Sequence, residues 1–378
     1  VSTLRILHTE SSLELGGQEY ATLALVEGLR RRGHDVILLV QPGSQLERTA
    51  GERGIPCRTV TMHKTAYPWA ILRVCSIIRK CRIDIVHTHG SRDSWIGSLA
   101  ASCSSLKPAV VLTRHKTTPI AQHVVNRMLY HRLVDRIVTT GGALTRQHLL
   151  VDHGFPETHV VAIPTGADVD RFTPEVKGSG FRKAMGIDEE ECLIGTVCFL
   201  RSYKGLDHFV EAASIISKRI PRSRFIIVGD GPEKPHVKKK IAQCGLQDRC
   251  MLPGYWQAVP EVMAALDVFV VSSTTGETLT QTIPQALATE TPVVATNIGG
   301  IPDIIRHGQT GFLVPPGDAE ALAQYILELI QNPEQGVIMA REGRKLVLES
   351  FSSASTVRKN ESLYQELLQE RQKQVARA

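Results

Sequence analysis

Short apolar runs alternate with helical periodicity along most of the chain, and the alternation runs its course twice. In the first half, Arg5–Thr9, Asp35–Val40, Cys57–Val60, Asp84–His87, Ala109–Thr113 and Arg136–Thr139 have the length and composition of strands. Helical stretches lie between them, clearest from Gln18 to Arg32, where Tyr20, Leu23, Ala24 and Leu29 share a face. The segment PTGADVDRFTPEVKGSG, 164–180, is rich in Pro, Gly and charge and reads as a linker. The pattern then restarts, with strands at Leu193–Val197, Arg224–Val228, Val268–Val271 and Pro292–Ala295 and helices at about 205–219, 233–243, 281–289 and 318–331. Strand–helix–strand repetition demands right-handed crossovers, and these give parallel sheets covered by helices on both faces. An α/β protein is therefore expected: two doubly wound domains, 1–168 and 169–351, facing each other across a cleft at the carboxyl ends of their strands.

A chain of 378 residues is long enough for two such domains. Its apolar runs, such as VILLV at 36–40 and VFVV at 268–271, fall far short of the ~20 residues that a spanning helix needs. The start of the chain lacks the order of a secretory signal, so a cytosolic protein is expected. Eight cysteines form no C-x-x-C pair and read as reduced, mostly buried thiols. His87 and His89 share a strand face but have no further ligand nearby in sequence.

Residues 1–170 carry 20 Lys and Arg against 14 Asp and Glu, whereas residues 171–378 carry 24 of each, so the whole net charge of +6 lies in the first half. That half suits an anionic substrate or bilayer, or else carries scattered solvated charge. Nucleic acid is not expected, because aromatics make up only 5% of the chain and no recognition motif accompanies the basic residues.

Several segments carry groups suited to a phosphorylated ligand. Gly16 and Gly17 follow the first strand and open a helix, where a backbone can approach a phosphate closely; a plain turn would look the same. Arg201 and Lys204, three residues apart before Gly205, fit a diphosphate clamp as well as an ordinary charged loop. Thr278 and Gln281 fit a capping box, and Pro284 sets the helix start close to them. Glu277 and Gln285 flank that start with seven residues between them, a spacing that solvated side chains also produce.

The stretch SSTTGETLTQTIPQALATETPVVATNIGGIPDII, 272–305, with HGQTGFLVPPGD at 307–318 and LGGQEYATLALVEGLRRRGHDV at 15–36, resembles the retaining glycosyltransferases of family 4. The family has a second Glu where this chain has Gln285, and an Arg five residues before the Lys where this chain has Phe199. The resemblance implies a GT-B fold of two Rossmann-like domains: the first binds the acceptor, the second binds a nucleoside diphosphate sugar, and the final helix, about 352–378, packs back on the first. It implies that Glu277 meets hydroxyls of the transferred sugar and that the amides of Leu279 and Thr280 hold the diphosphate with Arg201 and Lys204. It further implies that Gln285 meets the ribose, that Tyr255 borders the base and that His115, in VLTRHKTT, approaches the sugar. Asp168 and Asp170, a D-x-D, fall in the family's linker and not in a metal site; GDGP, 229–232, is a strand-end turn of the second domain. No metal or further cofactor is expected.

The expected activity is retaining, metal-independent transfer of a hexose from a UDP- or GDP-sugar to a glycan or lipid-linked acceptor. Similar chains serve bacterial lipopolysaccharide or surface-polysaccharide assembly, peripherally on the inner face of the membrane. Retaining glycosidases need two carboxylates across the bond, and only Glu277 is suitably placed. A sugar-nucleotide 2-epimerase of the same fold and a non-catalytic sugar-nucleotide-binding module are the alternatives. The first lacks evident side chains for proton transfer, and the second would hold donor without turnover.

Overall fold

A computed structural model describes residues 3–115, 120–121, 123–275 and 279–377. The chain divides into two compact units, one formed by Val1–Thr165 with Ser353–Ala378 and the other by Gly166–Ser352.

The first unit holds strands β1 (Arg5–Glu10), β2 (Asp35–Val40), β3 (Cys57–Thr59), β4 (Ile85–Thr88), β5 (Ala109–Arg114), β6 (Arg136–Thr139) and β7 (Val160–Ala162). They form one parallel sheet in the order β3-β2-β1-β4-β5-β6-β7. Its helices are α1 (Gly17–Arg31), α2 (Gln45–Glu52), α3 (Tyr67–Lys80), α4 (Ser91–Cys103), α5 (Val124–Met128) and α6 (Ala143–His153). The period-two alternation of side chains gives the sheet two apolar faces. Ile6, Leu38, Ile85 and Val111 pack with α1, while Leu7, Leu39, Val86 and Leu112 pack with residues of α3 and α4.

The second unit runs α7 (Ser179–Ala184), β8 (Cys192–Val197), α8 (Leu206–Arg219), β9 (Ser223–Val228), α9 (Lys234–Gln243), β10 (Cys250–Gly254), α10 (Val259–Ala265) and β11 (Val268–Val271). It continues through α11 (Thr282–Ala288), β12 (Val293–Thr296), β13 (Phe312–Val314), α12 (Ala319–Gln331) and α13 (Pro333–Ser350). The parallel sheet has the order β10-β9-β8-β11-β12-β13. Phe225, Ile227 and Val270 face α8 and α12; Ile226, Phe269 and Val293 face α10, α11 and the end of α13.

The last helix, α14 (Ser353–Arg377), belongs to the first unit. Val357, Leu363, Tyr364 and Leu367 enter its core, and Gly28 of α1 makes room: a methyl group there would come within 2.3 Å of Val357. Polar ties flank this seam, from Glu361 to Arg32 (2.6 Å) and His34 (2.9 Å), and from Arg371 to Asp135 (2.7 Å).

The expected strands lie within a residue or so of the observed ones. Strands β7 and β13, three residues each, and helices α6, α7, α10 and α13 have no counterpart among the expected elements, and the cysteines differ from expectation. All eight are free thiols, but only Cys75 and Cys250 are buried, and Cys103 is exposed. Asp168 does not pair with Asp170 as a D-x-D ligand set would. Its Oδ1 accepts from the amides of Asp170 (3.2 Å) and Arg171 (3.3 Å), closing a turn.

Candidate active site

In each sheet the strand order reverses direction at one place, β8/β11 in the second unit and β1/β4 in the first, and loops leaving the two strands there diverge to open a crevice. Most of the candidate residues lie at these two places.

In the second unit the loops after β8 and β11 are stitched together. The hydroxyl of Ser272 donates to the Lys204 carbonyl (3.0 Å), and the Thr274 amide donates to the Tyr203 carbonyl (2.8 Å). Gly205 adopts φ +61°, and a Cβ there would stand 2.0 Å from the Ser272 carbonyl oxygen, so the close approach requires glycine. Arg201 and Lys204 therefore stand on a single 3-10 turn, Ser202–Lys204, braced against the start of the signature segment. Arg201 is exposed and lies 5.1 Å from the ring centroid of Phe199, and Lys204 lies 5.2 Å from that of Tyr203. Phe199, at the position where the family has arginine, thus supports the arginine two residues on.

The GDGP turn buttresses the same loop. Leu200 donates its amide to the Asp230 carbonyl (2.9 Å), and Gly229 donates to the Gly254 carbonyl (2.8 Å), which carries the exposed Tyr255 on the next residue. Beneath Arg201, a cavity of about 180 Å³ is lined by Asp207, His208, His236 and Thr274, with Asp207 and His236 paired at 2.9 Å. Thr274 and Ser272 were not singled out in the sequence; their signal lay in long-range contacts.

Glu277 and Thr278 lie outside the described residues. Helix α11 begins at Thr282, within a residue of the expected 281, and Gln281 stands at its N-cap position without a side-chain capping bond. Leu279 is buried in the core and anchors the loop, while the hydroxyls of Thr280 and Thr282 lie 3.2 Å apart. Gln285 is half-buried on the first turn of α11, and its amide donates to the Gln281 carbonyl (3.3 Å).

In the first unit, His87 and His89 do have imidazole neighbours, contrary to the expectation from sequence. Parallel register pairs His8 with His87, and His115 follows the end of β5. His8 Nδ1 lies 2.9 Å from His89 Nε2, and His89 Nδ1 lies 3.4 Å from His115 Nε2. His87 bonds to the Tyr364 hydroxyl (2.5 Å) and to Thr113 Oγ1 (2.6 Å). Burial pushes His8 down to about 3 and His115 down to about 4; burial and neighbouring imidazoles hold His87 and His89 well below the usual histidine range. The four rings are neutral at pH 7. His8 Nε2 is buried without a partner, and an unmet N–H there would be costly. The proton of His8 thus belongs on Nδ1, which directs successive donors through His89 to His115 Nε2. Nitrogens of His8, His87 and His89 lie within 4.8 Å of one another, close enough for a shared metal. Both nitrogens of His87 are engaged with Tyr364 and Thr113, and His8 Nδ1 with His89 Nε2, while the rings stack at 18° and 21°.

Gly16 caps α1, but its amide donates to Glu19 Oε2 (2.8 Å) and is not open to a ligand. Glu10, bonded to Gln18 Nε2 (2.8 Å), is pushed well up by burial and by Asp93. The Gly16–Gly17 turn therefore sits among carboxyl groups, a setting that suits sugar hydroxyls better than a second phosphate charge.

The description "Glycosyltransferase Family 4" matches residues 15–171, and "Glycosyl transferases group 1" matches residues 180–346. The UDP-Gal:alpha-D-GlcNAc-diphosphoundecaprenol alpha-1,3-galactosyltransferase of Escherichia coli is 25% identical over 96% of this chain and 97% of its own. The N-acetyl-alpha-D-glucosaminyl L-malate synthase of Bacillus anthracis is 29% identical over 50% of this chain, which spans about half (49%) of that enzyme. The crystal structure of a glycosyltransferase from Rickettsia africae superposes with a TM-score of 0.88 at 26% identity, covering 97% of this chain and 99% of that one. With two parallel α/β units, each matched by its own part of one family, the chain belongs to the group 1, family 4 glycosyltransferases and has their GT-B fold.

Proposed function

We propose that this glycosyltransferase moves a hexose from a UDP- or GDP-sugar to a lipid-linked glycan acceptor, with retention at the anomeric carbon and without a metal. The second unit takes the donor: Arg201 and Lys204 meet the diphosphate with the amides of Leu279 and Thr280, Gln285 meets the ribose, Tyr255 borders the base and Glu277 orients the sugar. The first unit takes the acceptor, with His115 and the Gly16–Gly17 turn serving the sugar. The bond from C1 to the phosphate oxygen breaks, the acceptor oxygen bonds to C1 on the same face, and the acceptor proton passes to the departing phosphate oxygen. Fixed cations lower this barrier because negative charge grows on the diphosphate as it leaves.

The observation that carries this reading is the stitching of Lys204 and Tyr203 to Ser272 and Thr274, which braces two cations against the signature loop. The full-length likeness to an enzyme named for a UDP-sugar donor and a diphosphoundecaprenol acceptor supports the substrate class. Among the described residues no helix is long and apolar enough to cross a membrane. The outer face of α3 instead presents Trp69 (76% exposed) and Leu72 (63%) beside Arg73, Arg79 and Lys80, which supports peripheral attachment to the anionic inner face of the cell membrane during lipopolysaccharide or polysaccharide assembly.

The test is incubation with labelled UDP- and GDP-sugars, with and without a polyprenyl-diphosphate sugar, in EDTA. An α-linked product from an α-linked donor is expected, at an undiminished rate in chelator. An inverted product, a rate restored only by magnesium or manganese, or epimerised donor without acceptor would each overturn a named part of the proposal.

A further inference from the structure

The first unit carries a second polar cavity, of about 390 Å³, near the carboxyl end of β5. Its walls include Asn126 and Arg127 of α5, Tyr130 and His131 of the π-helical turn Leu129–Leu133, and His153 at the end of α6, with Phe155 as its floor. The rings of His131, His153 and His159 gather about Phe155 at centroid distances of 4.5, 6.0 and 5.5 Å. Arg114 ends β5, one residue before His115, and donates to the Tyr130 hydroxyl (3.0 Å). The wall residue Tyr130 is therefore tied to the residue that precedes His115.

The groups around this cavity favour an anion. Arg127 forms no ion pair among the described residues, and Asp152 is the single carboxylate in the wall. His153 Nε2 accepts from the Ile120 amide (3.2 Å), which leaves the proton of the neutral ring on Nδ1. The Tyr130 hydroxyl, already accepting from Arg114, has its own proton to donate. Burial holds His131 and His153 below their ordinary value, and so does neighbouring positive charge: His159, Arg127 and His153 act on His131, and Arg114 acts on His153 against the opposing pull of Asp152. Arg127 supplies a fixed positive charge in the wall, and the neutral histidine rings and the Tyr130 hydroxyl add N–H and O–H donors from which a phosphate can accept. Beside the cavity, α5 turns Val124 (82% exposed), Val125 (55%) and Met128 outward. Such a short apolar strip next to a hollow lined by Arg127 and by N–H and O–H donors matches an anionic head on an apolar chain.

We propose that this cavity is a subsite for the phosphate or diphosphate of an isoprenoid-type lipid acceptor, with the first part of the hydrocarbon chain lying on Val124, Val125 and Met128. The inference rests on the proposed function only in giving the acceptor to the first unit; the recognition chemistry itself is Arg127 with the Tyr130, His131 and His153 donors.

Titration calorimetry of the full chain with farnesyl diphosphate, inorganic pyrophosphate and farnesol tests it, with UDP as a control ligand. Farnesyl diphosphate is expected to bind more tightly than either of the others. Arg127→Gln should weaken it at least ~10-fold, Arg127→Lys less, and UDP binding should not change. Val124→Ser with Met128→Ser should weaken farnesyl diphosphate and leave pyrophosphate unaffected. Equal binding by farnesol, or no effect of Arg127→Gln, overturns the phosphate subsite. Equal binding by pyrophosphate, with the double serine variant inert, overturns the lipid source. If this binding pattern holds but no lipid-linked acceptor is glycosylated, the transfer reading fails and the subsite stands.

Discussion

The hydroxyl of Tyr364, on the last helix, lies 2.5 Å from Nδ1 of His87 in the centre of the first sheet. Burial pushes the tyrosine pKa well up, so its proton stays and is donated to Nδ1. His87 then carries its own proton on Nε2 and donates to Thr113 Oγ1 at 2.6 Å. One side chain near the C-terminus thus fixes a ring tautomer set 277 residues earlier in the chain. Tyr364→Phe keeps the ring packing and leaves Nδ1 unmet in the core. A loss of about 1–3 kcal/mol in urea unfolding is expected; an unchanged midpoint would show that the bond contributes nothing net.

Acid should destabilise the first unit through its histidines. His8 falls from an ordinary 6.5 to about 3 on folding, and His115 to about 4. Between these limits the unfolded chain takes up protons that the folded rings refuse, so stability is complete above about 6.5 and declines as pH falls toward 4 and then 3. Glu10, raised on folding, acts in the opposite sense, so the histidine part must be isolated by substitution. Urea midpoints at pH 7, 5.5 and 4.5 should fall more steeply for the native chain than for His8→Leu. Parallel slopes would mean that His8 is not kept neutral.

Glu277→Ala should reduce transfer by at least ~100-fold while leaving thermal unfolding unchanged, because the carboxylate is assigned to the sugar in the transition state. Steady-state kinetics decide this. Turnover close to native would remove Glu277 from the site.

At position 285 an amide stands where the family has a carboxylate. A glutamine can accept from one ribose hydroxyl and donate to the other. Gln285→Glu should therefore change UDP affinity by no more than ~10-fold, and Gln285→Ala should cost about 1–2 kcal/mol of binding. Calorimetry in which the alanine variant matches the native chain would take Gln285 off the ribose.

The exposed face of α3 predicts salt-sensitive sedimentation with vesicles containing phosphatidylglycerol. Trp69→Ser with Leu72→Ser should reduce the bound fraction at every salt concentration, whereas Arg73→Gln with Lys80→Gln should reduce it most at low salt and flatten its salt dependence. If the native chain stays in the supernatant even at low salt, attachment through this face is ruled out.

The sequence by itself determined the α/β class, because the periods of strands and helices are local properties written into each segment. It also located the loops that follow β8 and β11, since glycines, cations and the signature at 272–305 lie at recognisable strand ends. Strands β7 and β13 were not legible: three residues carry too little period, and their pairing with β6 and β12 is what makes them strands. Helix α11, expected at about 281–289, runs from Thr282 to Ala288, and the burial of Leu279 just before it was not legible because its packing partners lie far away in the chain.

The histidine cluster depended on tertiary structure altogether. His8 and His89 are 81 residues apart and meet because β1 pairs with β4 in one parallel register; a slip of one residue would send these side chains to the opposite face. The capture of the Gly16 amide by Glu19 likewise withdrew a donor that a glycine pair seemed to offer. Register and hydrogen-bond competition join groups far apart in the chain, and no local window of sequence contains both partners.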